Sequence, residues 1–278
     1  MTIISVGNQK GGVGKTPTAV ALGQYFARRG NRVLIVDLDA QGHVAESLGV
    51  DKSGGLFRLI CQGLAVEQVA ENVREDLDII PNDHTAEQVK AFAAQSDFRA
   101  YILAQALGEA GQRANSVRLG RPYDVVFLDM PPSTDVLHVA ALVASDYLLV
   151  PAIMDHLALT GVMTIIHTAK ALGKYPNVTP PALLGVLPTL FERMTTETRA
   201  NVTHLAEVLG DVRYLLPPIP RDTKVREASS YGQTIWEYAP ASPAAVGYRN
   251  GSPVKNSLGF VGGYVHTGEI IEGIIGRG

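Results

Sequence analysis

Cysteine is almost absent from this chain, and that sets the first limits. The lone Cys61 cannot close an internal disulfide, which fits a reducing cytoplasm. The seven histidines show neither H-x-x-x-H nor Cys/His spacing, so a transition-metal site is not expected. Neither G-x-S-x-G nor a cysteine–histidine constellation stands out. No apolar run approaches the ~20 residues that span a bilayer, and no signal peptide is read ahead of Met1-Thr2-Ile3. Charge is sparse too: 18% of residues are charged, too few for a disordered or coiled-coil chain. A net charge of −3 and a pI near 6.2 exclude a generally basic nucleic-acid binder, so any DNA contact must be a local patch. The expectation is a soluble cytoplasmic protein of 278 residues, one large domain or two small ones. Its 46% hydrophobic content suffices for a sizeable core.

One stretch dominates what is present. The apolar run Ile3-Ile4-Ser5-Val6-Gly7 leads into Gln9-Lys10-Gly11-Gly12-Val13-Gly14-Lys15-Thr16. This fits G-x-x-x-x-G-K-[ST] when Gln9 fills the first glycine position, and more loosely G-G-x-G-K-T. Glycines let successive backbone N–H groups face one oxyanion. The helix that follows, expected from about Thr16 to Arg29 and ended by Gly30, adds the positive end of its dipole. Lys15 supplies a cation for β/γ-phosphates and Thr16 a hydroxyl for Mg²⁺.

Strand-like apolar runs alternate with helical stretches along the remainder, which predicts an α/β fold with a doubly wound, mostly parallel sheet flanked by helices. Arg32 to Val36 is a buried strand that empties into Asp37-Leu38-Asp39-Ala40-Gln41-Gly42. Carboxylates at the carboxyl end of a parallel strand border the ligand crevice; capping of the next helix is the other role open to Asp39. Residues 50 to 76 read as a surface excursion with one or two short helices. Leu77 to Pro81 is a strand, His84 to Gly111 a helix, and Gly111 to Arg121 a loop. Tyr123 to Leu128 leads into Asp129-Met130-Pro131-Pro132, placing Asp129 at a strand end. Asp146 to Pro151 and Pro181 to Thr189 are further strands. One helix ends near Gly173 and another opens at Phe191-Glu192-Arg193-Met194, with Thr195 as a possible N-cap, and runs to Leu209. No sharp linker, internal repeat or low-complexity segment appears.

Lys10 makes the glycine loop more particular. Lys-Gly-Gly-x-Gly-Lys-Thr resembles the deviant Walker A box of the ParA/MinD family of ATPases, closest to the ParA (Soj)-type partitioning members, McdA-like cargo-positioning ones included. The resemblance implies a P-loop NTPase fold and binding of ATP with Mg²⁺ by Lys10, Gly11, Gly12, Val13, Gly14, Lys15, Thr16 and Pro17. It makes Lys10 a lysine that reaches the nucleotide of a second subunit; a solvated surface charge is the other role open to Lys10. Asp37-Leu38-Asp39-Ala40-Gln41-Gly42-His43 is similar to the family's Asp-x-Asp-Pro-Gln-Gly-Asn. By that match Asp39 orients the attacking water, acting with Lys10 and Lys15, and Asp37 is a second-shell partner of Mg²⁺. The D-x-P-P form at Asp129 resembles the family's Walker B text, with Asp129 facing Mg²⁺ through a water and the Pro131-Pro132 turn near the γ-phosphate. Asp155 to Gly161, with His156, is a softened version of the family's dimer-face Pro-Glu-Tyr-Phe-Ala-Leu-x-Gly. Pro218-Ile219-Pro220-Arg221-Asp222 and its continuation to Ala228 resemble the segment that wraps the adenine, largely through backbone groups. Arg193, Arg221, Lys224 and Arg226 are either a solvated charged face or a DNA-phosphate patch.

The likeness covers roughly residues 1 to 248, taken as the ATPase domain, and leaves 249 to 278 as a glycine-rich tail of no assigned role. There are departures. Pro17 replaces a second threonine, removing one loop N–H and one hydroxyl near the α-phosphate. Ala40 and His43 replace the usual Pro and Asn. Relatives end in an amphipathic helix, whereas Arg249-Asn250-Gly251 breaks one. Cys61, without a partner, argues against the family's iron–sulfur members.

Three functions compete on this reading. The first is a nucleoid-associated, cytoplasmic partitioning ATPase. It would form an ATP-dependent homodimer, bind non-specific DNA, and answer to a ParB-like or McdB-like adaptor that stimulates hydrolysis. Its cargo would be a plasmid, a chromosome or a protein body such as a carboxysome. The second is a MinD-like membrane-cycling regulator, for which residues 259 to 269 carry too few lysines; no membrane partner is expected. The third is a dethiobiotin-synthetase-like ligase, disfavoured by Lys10 and the basic cluster.

Overall fold

The computed structural model describes residues 1–96, 99–112, 122–155, 158–175, 177–192, 196–248 and 261–276, without side chains at 109–112, 158–159 and 196–199. Seven strands make one sheet: β1 (Thr2–Val6), β2 (Val33–Asp37), β3 (Glu71–Arg74), β4 (Leu77–Ile80), β5 (Val125–Asp129), β6 (Tyr147–Ala152) and β7 (Ala182–Pro188), in the order β3-β4-β2-β5-β1-β6-β7. Every pairing is parallel except that of the edge strand β3 with β4. Strands such as Val33-Leu34-Ile35-Val36 are apolar at every position because both faces of the sheet are covered.

The helices follow in chain order. They are α1 (Lys15–Ala27), α2 (His43–Ser47), α3 (Gly55–Cys61), α4 (Val66–Val69), α5 (Ala86–Ala94), α6 (Ile102–Gln112) and α7 (Val136–Ala144). Then come α8 (Ala158–Ala171), α9 (Thr196–Leu209), α10 (Thr223–Ser230), α11 (Ile235–Tyr238), α12 (Pro243–Val246) and α13 (Gly263–Ile275). Leu34, Val36, Val126 and Leu128 point into one core, shared with α3, α6, α7 and α8. Val33, Ile35, Val125 and Phe127 point into the other, shared with α1, α11, α12 and α13. This is the doubly wound architecture the sequence predicts. No described helix is long and apolar enough to cross a membrane.

Several details differ from the sequence reading. β3 lies within the 50–76 excursion; Glu71-Asn72-Val73-Arg74 is a half-exposed edge strand with no apolar run to announce it. The expected helix from His84 to Gly111 is two, α5 and α6. Phe191 does not open a helix: it bridges to Pro220 in parallel, its N–H bonded to the Ile219 carbonyl at 3.0 Å. His156, Arg193, Met194, Thr195 and the chain from 249 to 260 lie outside the described residues, as does most of the expected 111–121 loop.

Beyond Tyr248 the glycines serve packing. α13 lies against α1, burying Tyr264 and Ile271. Gly268 meets the Tyr25 ring so closely that a Cβ there would fall 2.3 Å from Cε1. Glu272 pairs with Arg29, and the Tyr25 hydroxyl donates to it at 3.4 Å. A residue with a side chain at 268 would push the helices apart, so glycine content here marks a close crossing and not a loose tail.

Candidate nucleotide-binding site

The register of the central strands gathers the three sequence boxes at one sheet edge. Val6 and Asp37 both stand opposite Asp129, from β1 and β2 on either side of β5. The glycine loop leaving β1, the turn leaving β2 and the end of β5 therefore converge at the carboxyl ends of parallel strands. The strand order reverses there, with β1 between β5 and β6, and that crevice is the usual ligand site of such sheets.

Gly12 (φ +71°) and Gly14 (φ +80°) hold left-handed conformations that favour glycine. Nothing lies within 4 Å of where a Cβ on Gly11 or Gly12 would sit, so the loop faces an open concavity. Two braces fix it from behind, and sequence reasoning missed both as functional. Buried Asn8 donates from Nδ2 to the Pro151 carbonyl at 2.8 Å and accepts from Lys10 N–H at 3.0 Å. Thr189, past the end of β7, donates to the Val13 carbonyl at 2.8 Å. Asn8 stands just ahead of the loop pattern, which begins at Gln9, and neither it nor Thr189 left a signal. Pro17 sits in the first turn of α1, where a missing N–H removes no intrahelical bond.

Lys15 is buried, and its Nζ donates to the Lys10 carbonyl at 3.1 Å. Burial lowers its pKa, with Asp129 and Asp39 pulling the other way. Thr16 donates to Asp129 Oδ2 at 2.6 Å, while the other carboxylate oxygen of Asp129 is buried with no hydrogen-bond partner. Burial pushes Asp129 up to about 7, against the Thr16 hydrogen bond and the Lys15 charge. Asp37 is raised well above the carboxylate range, chiefly by burial and then by Asp129. Its two oxygens accept the N–H groups of Asp39 and Val44, both at 3.0 Å, so Asp37 shapes the turn that carries Asp39. Asp39 stands half-exposed at the mouth and accepts from Gln41 N–H at 3.0 Å.

An orphaned carboxylate oxygen beside a hydroxyl, below an open glycine loop with a buried lysine, fits a nucleotide phosphate with Mg²⁺. All the donors are hard oxygens. No group of three or more His, Cys, Asp and Glu among the described residues could cage a metal alone. Mg²⁺ normally takes one or two protein ligands and shares the rest with phosphate and water.

Lys10 departs from the loop. Its Nζ is ion-paired with Asp155, just beyond β6, and does not enter the concavity. The expected adenine segment joins the site through β7. Ile219 N–H bonds the Pro188 carbonyl at 2.7 Å and Arg221 N–H bonds Phe191 at 2.9 Å, which lays Pro218 to Arg221 beside the strand whose next residue, Thr189, braces the loop. Asp222 spends its side chain capping α10, accepting from Lys224 N–H at 3.0 Å. Of the basic candidates, Arg221 pairs with Glu192 at 3.1 Å and Lys224 with Glu227 at 2.7 Å; Arg226 is exposed.

Comparison with known proteins agrees with this geometry. A family profile described as AAA domain matches residues 1–179. The chromosome-partitioning ATPase Soj of Thermus thermophilus is 35% identical over 250 residues, covering 88% of this chain and 92% of Soj. Apo McdA of Cyanothece superposes with a TM-score of 0.76 at 22% identity, over 87% of this chain and 94% of McdA. Cobyrinic acid a,c-diamide synthase of Mycobacterium smegmatis, solved with an ATP analogue and magnesium, gives 0.69 at 30% identity over 84% and 91%. With Soj 35% identical over most of both chains, the chain belongs to the ParA/Soj family of P-loop partitioning ATPases.

Proposed function

We propose that this protein is a ParA-type ATPase in which ATP joins two copies, the dimer holds non-specific DNA, and an adaptor protein triggers hydrolysis and release. The observation that carries the reading is the division of labour between the two loop lysines. Lys15 is buried under the loop, whereas Lys10 extends away from it to a half-exposed ion pair with Asp155. A lysine held at the rim by one partly solvated pair costs little to release, roughly 0–1 kcal/mol, and can turn to a second subunit's phosphates.

Within one subunit the loop N–H groups and Lys15 bind the β- and γ-phosphates. Thr16 and Asp129 hold Mg²⁺, which when bound neutralises phosphate charge. Asp39, at the mouth, orients the attacking water, and phosphoryl transfer depends mainly on such positioning. Pro218 to Asp222 line the base. The ATPase domain spans 1–248, with α13 as a buttress on α1. Arg193, Arg221, Lys224 and Arg226 contact DNA phosphates. The cargo is a plasmid, a chromosome or a protein body, the adaptor is ParB-like or McdB-like, and the protein works in the cytoplasm on the nucleoid.

The test is ATP-dependent retention of random-sequence DNA, with dimerisation followed by light scattering. Wild type is expected to dimerise and retain DNA only with ATP and Mg²⁺, with affinity falling steeply in salt. Lys10→Ala is expected to keep ATP binding and lose both. A Lys10→Ala protein that dimerises and binds DNA like wild type refutes the reading in favour of an ordinary P-loop enzyme.

A further inference from the structure

The turn that carries Asp39 is held from outside by a residue that none of the sequence boxes contains. We propose that Lys52 is a positioning residue for Asp39, strapping the 39–42 turn to the sheet edge and doing for Ala40 what proline does in the family's usual text. This rests on the hydrolytic role proposed for Asp39.

Three contacts define the strap. Lys52 Nζ donates to the Gln41 carbonyl at 2.7 Å. Gln41 in turn donates its N–H to Asp39 Oδ1 at 3.0 Å, so the strapped residue is the one that orients the carboxylate. The stem of Lys52 lies over Gly42, where a Cβ would come within 2.9 Å of Lys52 Cδ, with the Asn82 carbonyl at 2.5 Å on the other side. Gly42 has φ +64°, so this narrow passage between stem and carbonyl is open to glycine.

The base of the strap is fixed. Val50 N–H bonds the Ala45 carbonyl at 3.1 Å, Ser53 donates to Glu71 on β3 at 3.0 Å, and Leu56 N–H bonds the Pro81 carbonyl at 3.1 Å. Residue 52 thus sits on a segment tied to the β3–β4 edge, and its ammonium reaches back to the turn.

The turn needs such a hold. A proline at 40 would restrict the backbone dihedral that alanine leaves free. The Ala40 N–H makes no hydrogen bond among the described residues, so proline at 40 would remove none. Lys52 also pairs with Glu46 at 3.0 Å. Both groups are largely exposed, so that pair alone contributes little. The carbonyl bond and the pair make different predictions.

The experiment measures ATP hydrolysis with Mg²⁺ by the full chain across ATP concentrations, together with amide exchange over residues 41–44. Lys52→Met is expected to lower kcat about tenfold while the KM for ATP stays within about twofold, because the phosphate loop is untouched. Lys52→Arg retains most of kcat, and Glu46→Gln leaves it unchanged. Adding Ala40→Pro to Lys52→Met recovers kcat, a non-additivity that a mere surface ion pair does not give. Exchange at 41–44 rises in Lys52→Met alone. An active wild type with unchanged kcat in Lys52→Met, or exchange that does not change, overturns the strap and leaves the proposed function intact. A wild type that never hydrolyses ATP overturns both.

Discussion

Replacing Asp129 by asparagine is expected to stabilise the ligand-free protein, increasingly as pH rises. Asp129 is fully buried beside Asp37, and its pKa stands near 7 against an ordinary value of about 3.9. Between those values the folded chain keeps a proton that the unfolded chain has lost. Stability is therefore fully present below about pH 4 and is lost as pH rises through 7. From pH 5 to 8 the chain crosses about two units of that window, which at ~1.36 kcal/mol each is a loss of roughly 2–3 kcal/mol. The protons leave the Asp37–Asp129 pair jointly, so the loss belongs to the pair and asparagine at 129 relieves it by removing one charge. The assay is urea denaturation of both proteins with EDTA, at pH 5, 6.5 and 8. The variant's advantage is expected to grow by roughly 2–3 kcal/mol between pH 5 and pH 8, a change that cancels other titrating groups. A constant advantage, or a wild type that gains on the variant with pH, refutes the reasoning.

Lys15→Ala removes the buried counter-charge of the phosphates and is expected to lower ATP affinity by about 100-fold or more in calorimetry; unchanged affinity would remove the phosphate-loop assignment. Asp39→Ala is expected to bind ATP normally and hydrolyse it slowly, leaving a dimer that persists in light scattering; wild-type turnover takes Asp39 out of the mechanism. Gly268→Val forces α13 off the Tyr25 ring and is expected to cost about 1–3 kcal/mol in urea denaturation, whereas Gly273→Ala, with nothing within 4 Å of the added carbon, is expected to be neutral or better.

The parts of the molecule visible in the sequence are those whose local chemistry is also their function. A strand buried on both faces must be apolar throughout, so β2, β4, β5, β6 and β7 announced themselves. A phosphate loop needs its glycines closely and regularly spaced ahead of the lysine, so it did too. What was hidden depends on distant partners. β3 is an edge strand whose Glu71 and Arg74 serve Ser53 and Glu237, and no alternation marks it. Gly268 of α13 looks like a helix breaker until Tyr25, some 240 residues away, supplies the reason for it. Asn8, Thr189 and Lys52 act through one or two hydrogen bonds to backbone groups, a role that any polar residue could fill and no spacing reveals.

Electrostatics gives a reason for DNA binding to follow the nucleotide state. The chain carries −3 overall, and its basic segment is partly neutralised from within. Glu192 takes Arg221, and Glu227, pushed down to about 2 by Lys224, Tyr238 and Thr223, stays ionised at any physiological pH and holds Lys224. Arg226 makes no ion pair among the described residues. Among its described residues this segment of one protomer therefore offers few uncompensated cations to a phosphate backbone. Each phosphate neutralised adds about −0.9 to the slope of log K against log salt, so the slope counts contacts. In the proposed dimer, two protomers joined by ATP would double that count on one rigid body, and the second set of contacts would form at the high effective concentration of a tethered site. The slope measured with ATP should then be about twice any residual slope without it, and Arg226→Ala should lower the dimer's slope by about two, one contact from each subunit. A drop of one would mean that only one protomer's patch reaches the DNA. No drop would place the contact surface elsewhere.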